Sequence, residues 1–264
     1  PIKIVAYRGI VGNVSYFDPI SWMRFLNPRI DRIICVCDAI RDYFLNMKPS
    51  FLRMPRNRPV TIYKGHKLDW YQESPKDLAE LGIPDNSFVV GCVANSRPRK
   101  GIEYLVEAIA LLPKDINICL LLVGHMKGYK LEKAINNSPE KHRIYLPGFC
   151  DDAPTISASC DVFCLPSVKR EGLPRAVIEA MAYGVPAIVT DSGGSPELVQ
   201  NGKSGIVIPV RNAKAIADSI EKLYRDTEFK KSLGMNARKR IDAHFDNDET
   251  VKQTINVYRD LLSV

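Results

Sequence analysis

The sequence lacks several features that mark secreted, metal-binding and membrane-spanning proteins. It holds seven cysteines, an odd number, and none of them forms a C-x-x-C pair. Most lie in apolar runs such as ICVC and VFCLP, so we interpret them as reduced core thiols of a cytoplasmic protein. No apolar run approaches the roughly 20 residues of a transmembrane helix. No G-x-G-x-x-G follows a strand-like run, which disfavours a nicotinamide-dependent dehydrogenase.

Acidic residues are also missing from one basic stretch. No Asp or Glu occurs between Asp42 and Asp69, in a chain whose net charge is +7. The basic residues of this stretch are Lys48, Arg53, Arg56, Arg58, Lys64 and Lys67. Such a surface attracts anionic lipid or acidic substrates, and an ordinary solvated surface is the alternative interpretation. We take residues 48–67 as the candidate contact with an anionic membrane, which would make the protein peripheral at the inner face. Nucleic acid is not expected as a partner, because no nucleic-acid-binding motif accompanies the charge.

Strand-like and helix-like segments alternate along the chain. Continuous apolar runs rich in β-formers occur at residues 3–7, 32–37, 60–63, 88–94, 116–124, 143–148, 161–167, 186–191 and 204–210. Helical patterns occur at residues 38–46, 101–112, 128–136, 173–183, 212–225, 227–243 and 249–262. Runs that are apolar throughout indicate strands covered on both faces. The alternation therefore predicts an α/β fold with a doubly wound, mostly parallel sheet.

A polar segment at residues 67–87, which holds Pro75 and Pro84, is typical of a domain boundary. Residues 88–243 contain a full set of strands and helices for one Rossmann-like domain. Residues 1–66 contain only about three strands, too few for a closed doubly wound domain. In open α/β sheets ligands bind beyond the carboxyl ends of the strands. We therefore expect the functional site in the loops that follow the strand-like runs of residues 88–191.

The first of these loops carries concentrated positive charge. Arg97, Arg99 and Lys100 follow the run FVVGCVA and precede a helix that starts near Gly101. Cations beside a helix N-terminus form an anion site, an arrangement that suits a diphosphate. A solvated turn with a helix cap is the alternative.

A later loop places two carboxylates in an apolar context. Glu171 precedes the helix entrance Gly172-Leu173-Pro174, whose amide N–H groups lack intrahelical partners, and Glu179 lies within the apolar helix AVIEAMA. An i,i+4 salt bridge with Arg175 is the structural interpretation of Glu179, and it is worth only about 0.2–0.5 kcal/mol. A buried carboxylate needs hydrogen-bond donors, and a ribose diol supplies two hydroxyl groups. The residues alone leave both interpretations of Glu179 open.

These motifs resemble those of a known family. Glu171 and Glu179, with seven residues between them inside PSVKREGLPRAVIEAMAYGVPAIVTDSGGSPELVQNGKSGIVIP, resemble the E-x7-E signature of family 4 retaining glycosyltransferases, which have the GT-B fold. VANSRPRKGIEYLVEAIALL resembles the family's phosphate-binding segment, and LLLVGH, RIYLPGF and ASCDVFCLPS follow in the family's order. RIICVCDAIRDYF and VTIYKGHKLDWY resemble the end of its N-terminal domain. The resemblance covers the chain from about residue 32 to its end.

The resemblance implies a nucleotide-sugar donor and assigns roles around the two glutamates. Glu179 would bind the ribose hydroxyls, and Glu171 would face the donor sugar. The amide N–H groups of Gly172 and Leu173 would face the sugar or the phosphates. Lys100 would neutralise the diphosphate leaving group, whose charge grows in the transition state. No cofactor and no metal are implied, and the leaving phosphate would deprotonate the acceptor.

Other expected donor-site residues lie at the ends of neighbouring strands. The family usually has Arg five residues before the lysine, and Asn95 stands there in this sequence. We expect Arg97 to reach the same phosphate, because Arg forms bidentate contacts. The base would be recognised by backbone groups near Gly148 and Phe149.

The implied architecture has three parts and leaves alternatives for the activity. We expect residues 1–85 to end an N-terminal acceptor-side domain whose start lies outside this sequence. Residues 86–245 would form the nucleotide-sugar-binding domain, and residues 246–264 a helix that crosses back. The expected reaction transfers a hexosyl group to a glycan or lipid-linked acceptor. A nucleotide-sugar-binding module without turnover and a sugar phosphorylase remain alternatives, whereas the E-x7-E and EGLP motifs argue against an epimerase.

Overall fold

Two parallel sheets form the framework of the protein. The computed structural model describes residues 2–49 and 51–262. The first sheet has the strand order β1-β2-β3, with β1 at Val5–Arg8, β2 at Arg32–Cys35 and β3 at Pro59–Thr61. Each of its strands runs parallel to its neighbour, with Val5 opposite Arg32 and Ile33 opposite Pro59.

The second sheet has six strands in the order β6-β5-β4-β7-β8-β9. Their bounds are β4 Phe88–Val93, β5 Ile118–Val123, β6 Ile144–Gly148, β7 Val162–Leu165, β8 Ala187–Thr190 and β9 Gly205–Ile208. All five pairings are parallel. The chain builds outward from β4 to β6, then returns to the other side of β4 and continues from β7 to β9. The carboxyl ends of β4 and β7 therefore meet where the direction of winding reverses, the position at which such sheets bind ligands.

Helices cover the sheets and connect their strands. They are α1 (Pro19–Ser21), α2 (Asp38–Leu45), α3 (Ile102–Ala110), α4 (Tyr129–Asn137), α5 (Ala153–Ala158), α6 (Arg175–Ala182), α7 (Ser195–Leu198), α8 (Ala213–Arg225), α9 (Thr227–His244) and α10 (Asn247–Leu262). A π-helical turn at Trp22–Leu26 extends α1. Short 3-10 helices lie at Leu68–Trp70, Leu78–Leu81, Pro98–Lys100 and Lys141–Arg143.

The predicted α/β fold class, with its doubly wound parallel sheet, is confirmed. Each strand-like run and each helical pattern of the sequence overlaps an observed strand or helix. The helical segment at residues 19–26 was not predicted, although Asp18 and Pro19 form a recognisable helix start. The Asp18 carboxylate accepts hydrogen bonds from the amides of Ile20 and Ser21.

The apolar strands are continuous because both faces of the six-stranded sheet are buried. Val90 and Leu120 belong to a large core that extends to the three-stranded sheet, whereas Val89 and Leu121 face a smaller cluster on the opposite side. The seven cysteines are free thiols, and all but Cys150 are buried. Burial raises the pKa of strand cysteines such as Cys92 to about 12, so these thiols act as core side chains.

The beginning of α10 contacts the loop that follows β3. The Thr250 hydroxyl donates to Tyr63 O at 2.7 Å and accepts from the amide of Gly65 at 2.9 Å. The amide of His66 donates to Phe245 O at 2.7 Å. The domain boundaries predicted at residues 85 and 245 stay a prediction. Across the two described ranges, no helix has the length and apolar character that crossing a bilayer requires.

Candidate functional site

The loops after β4 and β7 bring together Glu171 and two cations. The Glu171 carboxylate oxygen Oε1 accepts from Lys100 Nζ at 2.7 Å and from the Ser167 hydroxyl at 2.8 Å. Arg99 Nη1 lies 3.3 Å from the same oxygen. The Glu171 side chain is only 5% exposed. Charge-assisted hydrogen bonds of this kind compensate a carboxylate that has left water.

Local structure explains which cations reach Glu171. The 3-10 helix Pro98–Lys100 directs Arg99 and Lys100 toward the loop after β7, and the amide of Val168 donates to Arg99 O at 2.8 Å. Arg97 precedes this turn and is exposed. The structure therefore brings Arg99, rather than Arg97, to Glu171, and the role assigned to Arg97 stays a prediction.

The helix entrance after Glu171 packs tightly against the three-stranded sheet. A Cβ added at Gly172 would lie 2.4 Å from Gly9 O, so only glycine fits this approach. Gly172 and Leu173 are buried, and in the described chain neither amide N–H has a backbone hydrogen-bond partner. The entrance therefore offers two backbone donors in the residues that directly follow Glu171.

Glu179 occupies a different environment, in the second turn of α6. Its side chain is 8% exposed and accepts from Arg175 Nε at 2.6 Å, while the Arg175 side chain is 71% exposed. Burial raises the pKa of Glu179, and the hydrogen bond and charge of Arg175 oppose this rise. The i,i+4 salt bridge that the sequence allowed is therefore present. It pairs a buried carboxylate with a cation that lies mostly in solvent.

A buried histidine near Glu179 was missed by the sequence analysis. His66 Nδ1 forms a hydrogen bond with the Tyr71 hydroxyl, and its ring also packs edge-on against Trp70. Its Nε2 atom is buried without a partner among the described residues. Burial, followed by the charges of Lys64 and Arg175, lowers the pKa of His66 to about 4. A lone histidine in the aromatic segment GHKLDWY was the available signal.

Asn95, Gly148 and Phe149 lie at the ends of β4 and β6 rather than beside Glu171. The Asn95 side-chain oxygen accepts from the His125 amide at 3.3 Å and lies 3.2 Å from His125 Nδ1. The His125 ring packs against exposed Phe149 with a centroid distance of 5.5 Å. Gly148 O accepts from the Gly124 amide at 2.7 Å. These residues form a second polar and aromatic group at the same edge of the sheet.

Within residues 2–49 and 51–262, no group of three or more His, Cys, Asp and Glu side chains is placed to hold a metal ion. The Asp246 carboxylate, which precedes α10, accepts from the amide of Glu249 at 3.1 Å and so caps that helix. Whether the reaction is independent of metal stays a prediction.

Comparison with known proteins identifies relatives of this chain. The family model of glycosyl transferases group 1 matches residues 73–240. The capsular polysaccharide biosynthesis glycosyltransferase CapM of Staphylococcus aureus is 29% identical over 99% of this chain and 71% of its own. The N-acetyl-alpha-D-glucosaminyl L-malate synthase of Bacillus anthracis is 30% identical over 69% of this chain and 48% of its own.

Solved structures share the same fold. Anabaena HepE in complex with UDP-glucose superposes with a TM-score of 0.83 and 24% identity, over 99% of this chain and 72% of that chain. At this identity the likeness establishes the GT-B fold alone. The chain spans about half the length of several curated relatives, 48% of the malate synthase and 56% of an uncharacterised Methanocaldococcus jannaschii glycosyltransferase.

Proposed function

Because the chain belongs to the glycosyl transferases group 1 family, we propose that it transfers a hexosyl group from a nucleoside-diphosphate sugar to a glycan or lipid-linked acceptor. The observation that carries this proposal is the buried contact of Lys100 with Glu171 at the carboxyl ends of β4 and β7. It combines a cation suited to phosphate with a carboxylate suited to sugar hydroxyls. The UDP-glucose complex of HepE supports a nucleotide sugar as the donor class.

The diphosphate would bind where positive charge collects. Lys100 and Arg99 lie within 3.3 Å of Glu171 Oε1, at the start of α3. A helix N-terminus and two cations together favour the negative charge that grows on a leaving diphosphate. Arg97, exposed in the same loop, would contact the outer phosphate once a donor is present.

The sugar would lie against the helix entrance. The free amides of Gly172 and Leu173 can donate to sugar or phosphate oxygens, while Glu171 accepts from sugar hydroxyls. Glu179 would accept from the two ribose hydroxyls. The base would reach the edge formed by Asn95, Gly148 and Phe149, where backbone groups and one exposed ring are available.

The proposed chemistry retains the configuration of the anomeric carbon and uses no enzyme nucleophile. The bond between the anomeric carbon and the diphosphate oxygen breaks, and its electron pair stays on that oxygen. The acceptor hydroxyl oxygen bonds to the same face of the carbon, and its proton passes to the leaving phosphate. Lys100 would stabilise the developing phosphate charge, so that neither metal nor cofactor is needed.

The acceptor side would face an anionic membrane from the cytoplasm. A cavity of about 510 Å³ is lined by Lys48, Arg53 and Arg56 together with apolar side chains of the same segment. Arg53 also lines a neighbouring cavity of about 310 Å³ beside Trp22 and Phe51, and Phe51 is 82% exposed. Cations contribute about 1 kcal/mol each near anionic headgroups, and exposed aromatic rings suit the interface.

Calorimetric titration tests the donor site. UDP, GDP, ADP and CMP would be titrated beside their nucleosides, and the best binder would be offered as its glucose ester. Tight binding of one diphosphate with sugar transfer supports the enzyme. Binding without hydrolysis or transfer favours the alternative, a nucleotide-sugar-binding module. Failure to bind any of the four contradicts the donor site.

Vesicle sedimentation tests the membrane contact. We expect binding to vesicles that contain phosphatidylglycerol, weaker binding to phosphatidylcholine alone, and loss of binding at high salt. Phe51→Ser should weaken it, whereas Leu111→Ser, at an exposed apolar position at the end of α3, should not. Vesicle binding that is the same with and without anionic lipid, and at low and high salt, contradicts the proposed membrane contact.

A further inference from the structure

A carboxylate on the six-stranded side of the protein reaches the first helix of the three-stranded side. Glu197, in α7, accepts hydrogen bonds from the backbone amides of Asp38 and Ala39, each at 2.7 Å. These residues open α2, where the N-cap residue Cys37 makes no side-chain cap hydrogen bond. The first amides of a helix lack intrahelical partners and carry partial positive charge. Glu197 thus supplies the cap that the neighbouring sequence does not provide.

The backbone of the short helix that carries Glu197 is also held by α9. Arg240 of α9 donates from Nε to Leu198 O at 2.8 Å and from Nη2 to Glu197 O at 2.7 Å. The side chain of Glu197 therefore faces α2 while its backbone is fixed to α9. The end of α7 is thus joined to α2 by the Glu197 side chain and to α9 by backbone carbonyl groups.

The residues just before α7 lie against the proposed donor site. The amide of Gly194 donates to Glu171 O at 3.2 Å. A Cβ added at Gly194 would lie 2.6 Å from Gly172 O and 2.8 Å from Cys37 Sγ. The helix entrance after β7, the start of α7 and the start of α2 thus meet without room for a methyl group.

We propose that Glu197 is a positioning residue for the donor sugar. By holding α2 against α7, it fixes the entrance at residues 171–173 relative to the three-stranded sheet. In this proposal the amides of Gly172 and Leu173 contact the sugar, while Arg99 and Lys100, from the loop after β4, hold the diphosphate, so diphosphate binding does not depend on the contact of Glu197 with α2. The proposal rests on the proposed donor site and predicts an effect confined to the sugar end of the donor.

The test combines hydrogen exchange with ligand binding in Glu197→Gln and Glu197→Ala. Glutamine keeps one acceptor oxygen but places a donor against the second amide, and alanine removes both acceptors. We expect exchange at the Asp38 and Ala39 amides to accelerate at least about tenfold, since hydrogen-bonded amides exchange only through local opening. Affinity for UDP-glucose should fall severalfold while affinity for UDP is unchanged. If another diphosphate binds the parent protein better, that diphosphate and its glucose ester replace the pair.

Glu228→Gln is the matched control, because Glu228 is an exposed acid of α9 whose side chain pairs with nearby Lys231. It should change neither exchange at α2 nor affinity. Unchanged exchange in the Glu197 variants would show that the contact with α2 is absent in solution. Faster exchange with unchanged affinity for both UDP and UDP-glucose would show that Glu197 only caps α2 and would overturn the positioning role. A parent protein that binds no nucleotide would contradict the donor site and with it that role, while exchange would still report whether Glu197 caps α2.

Discussion

Replacing Glu179 by glutamine separates the two interpretations of this buried carboxylate. If Glu179 binds the ribose diol, its charge strengthens two hydrogen bonds that exist only in the complex. Loss of a charge-assisted bond costs about 1.5–3 kcal/mol, so Glu179→Gln should weaken nucleoside and nucleotide binding roughly 10- to 150-fold. Isothermal titration calorimetry measures both affinities directly.

The same substitution should leave the fold at least as stable. The pKa of Glu179 is raised by burial, so the folded state favours the protonated form. Glu179 therefore lowers the free energy of unfolding least below its ordinary pKa of 4.5, where it is protonated. Its destabilising effect grows as pH rises through the raised pKa of the folded state. At neutral pH, Glu179→Gln removes that cost together with an i,i+4 pair whose cation lies mostly in solvent and which is worth only about 0.2–0.5 kcal/mol. Urea unfolding should show no loss of stability.

Arg175→Ala is the matched control, because it removes the partner of Glu179 without removing the carboxylate. It should lower the free energy of unfolding by about 1 kcal/mol or less and leave nucleotide affinity within about twofold of the parent. If Glu179→Gln instead binds nucleotide with the parent's affinity and is less stable, Glu179 stabilises α6 through its pair with Arg175 and does not bind the ribose.

Three further predictions concern other residues of the site. Lys100→Ala should cost about 1.5–3 kcal/mol of diphosphate affinity and leave nucleoside affinity unchanged by calorimetry, and an equal loss for both ligands would remove Lys100 from the phosphate site. Arg99→Ala should lower unfolding stability by about 1 kcal/mol in urea, whereas Arg97→Ala should stay within about 0.5 kcal/mol, and equal effects would contradict the observed contact with Glu171. His66, whose pKa falls from 6.5 to about 4, contributes stability above pH 6.5 that is lost as pH falls toward 4. The stability difference between the parent and His66→Phe should therefore shift by about 2–3 kcal/mol between pH 7 and pH 4, and parallel pH profiles would refute the burial argument.

Secondary structure was predictable because local pattern and burial agree in this fold. Strands such as β5 are covered on both faces, so their apolar runs are unbroken and stand out from the helices around them. The segment at residues 19–26 was missed because it combines a three-residue helix with a π-helical turn and has no helical period long enough to recognise. Its start signal, Asp18 followed by Pro19, is local and was available.

The candidate site was predictable only where its residues share one segment. Glu171 and Glu179 lie in one segment with seven residues between them, so their spacing could be seen in the sequence although only Glu179 lies in α6. The choice between Arg97 and Arg99 depends on the three-residue 3-10 helix Pro98–Lys100, which follows Arg97 and contains Arg99, and the charge pattern does not reveal this turn. The contact of Glu197 with α2 joins residues 159 positions apart, and no local pattern predicts a pairing at that distance.

The surroundings of the two glutamates explain their burial in different ways. Glu171 is compensated within the protein, since Lys100, Arg99 and Ser167 all direct donors to one of its oxygens. Its low exposure therefore needs no ligand. Glu179 is nearly as buried, yet its cation lies mostly in solvent, and its raised pKa shows that the protein stabilises its charge incompletely. A ligand can supply the hydrogen-bond donors that the protein does not provide to Glu179. We therefore expect loss of the charge at Glu179 to lower nucleotide affinity more than loss of the charge at Glu171.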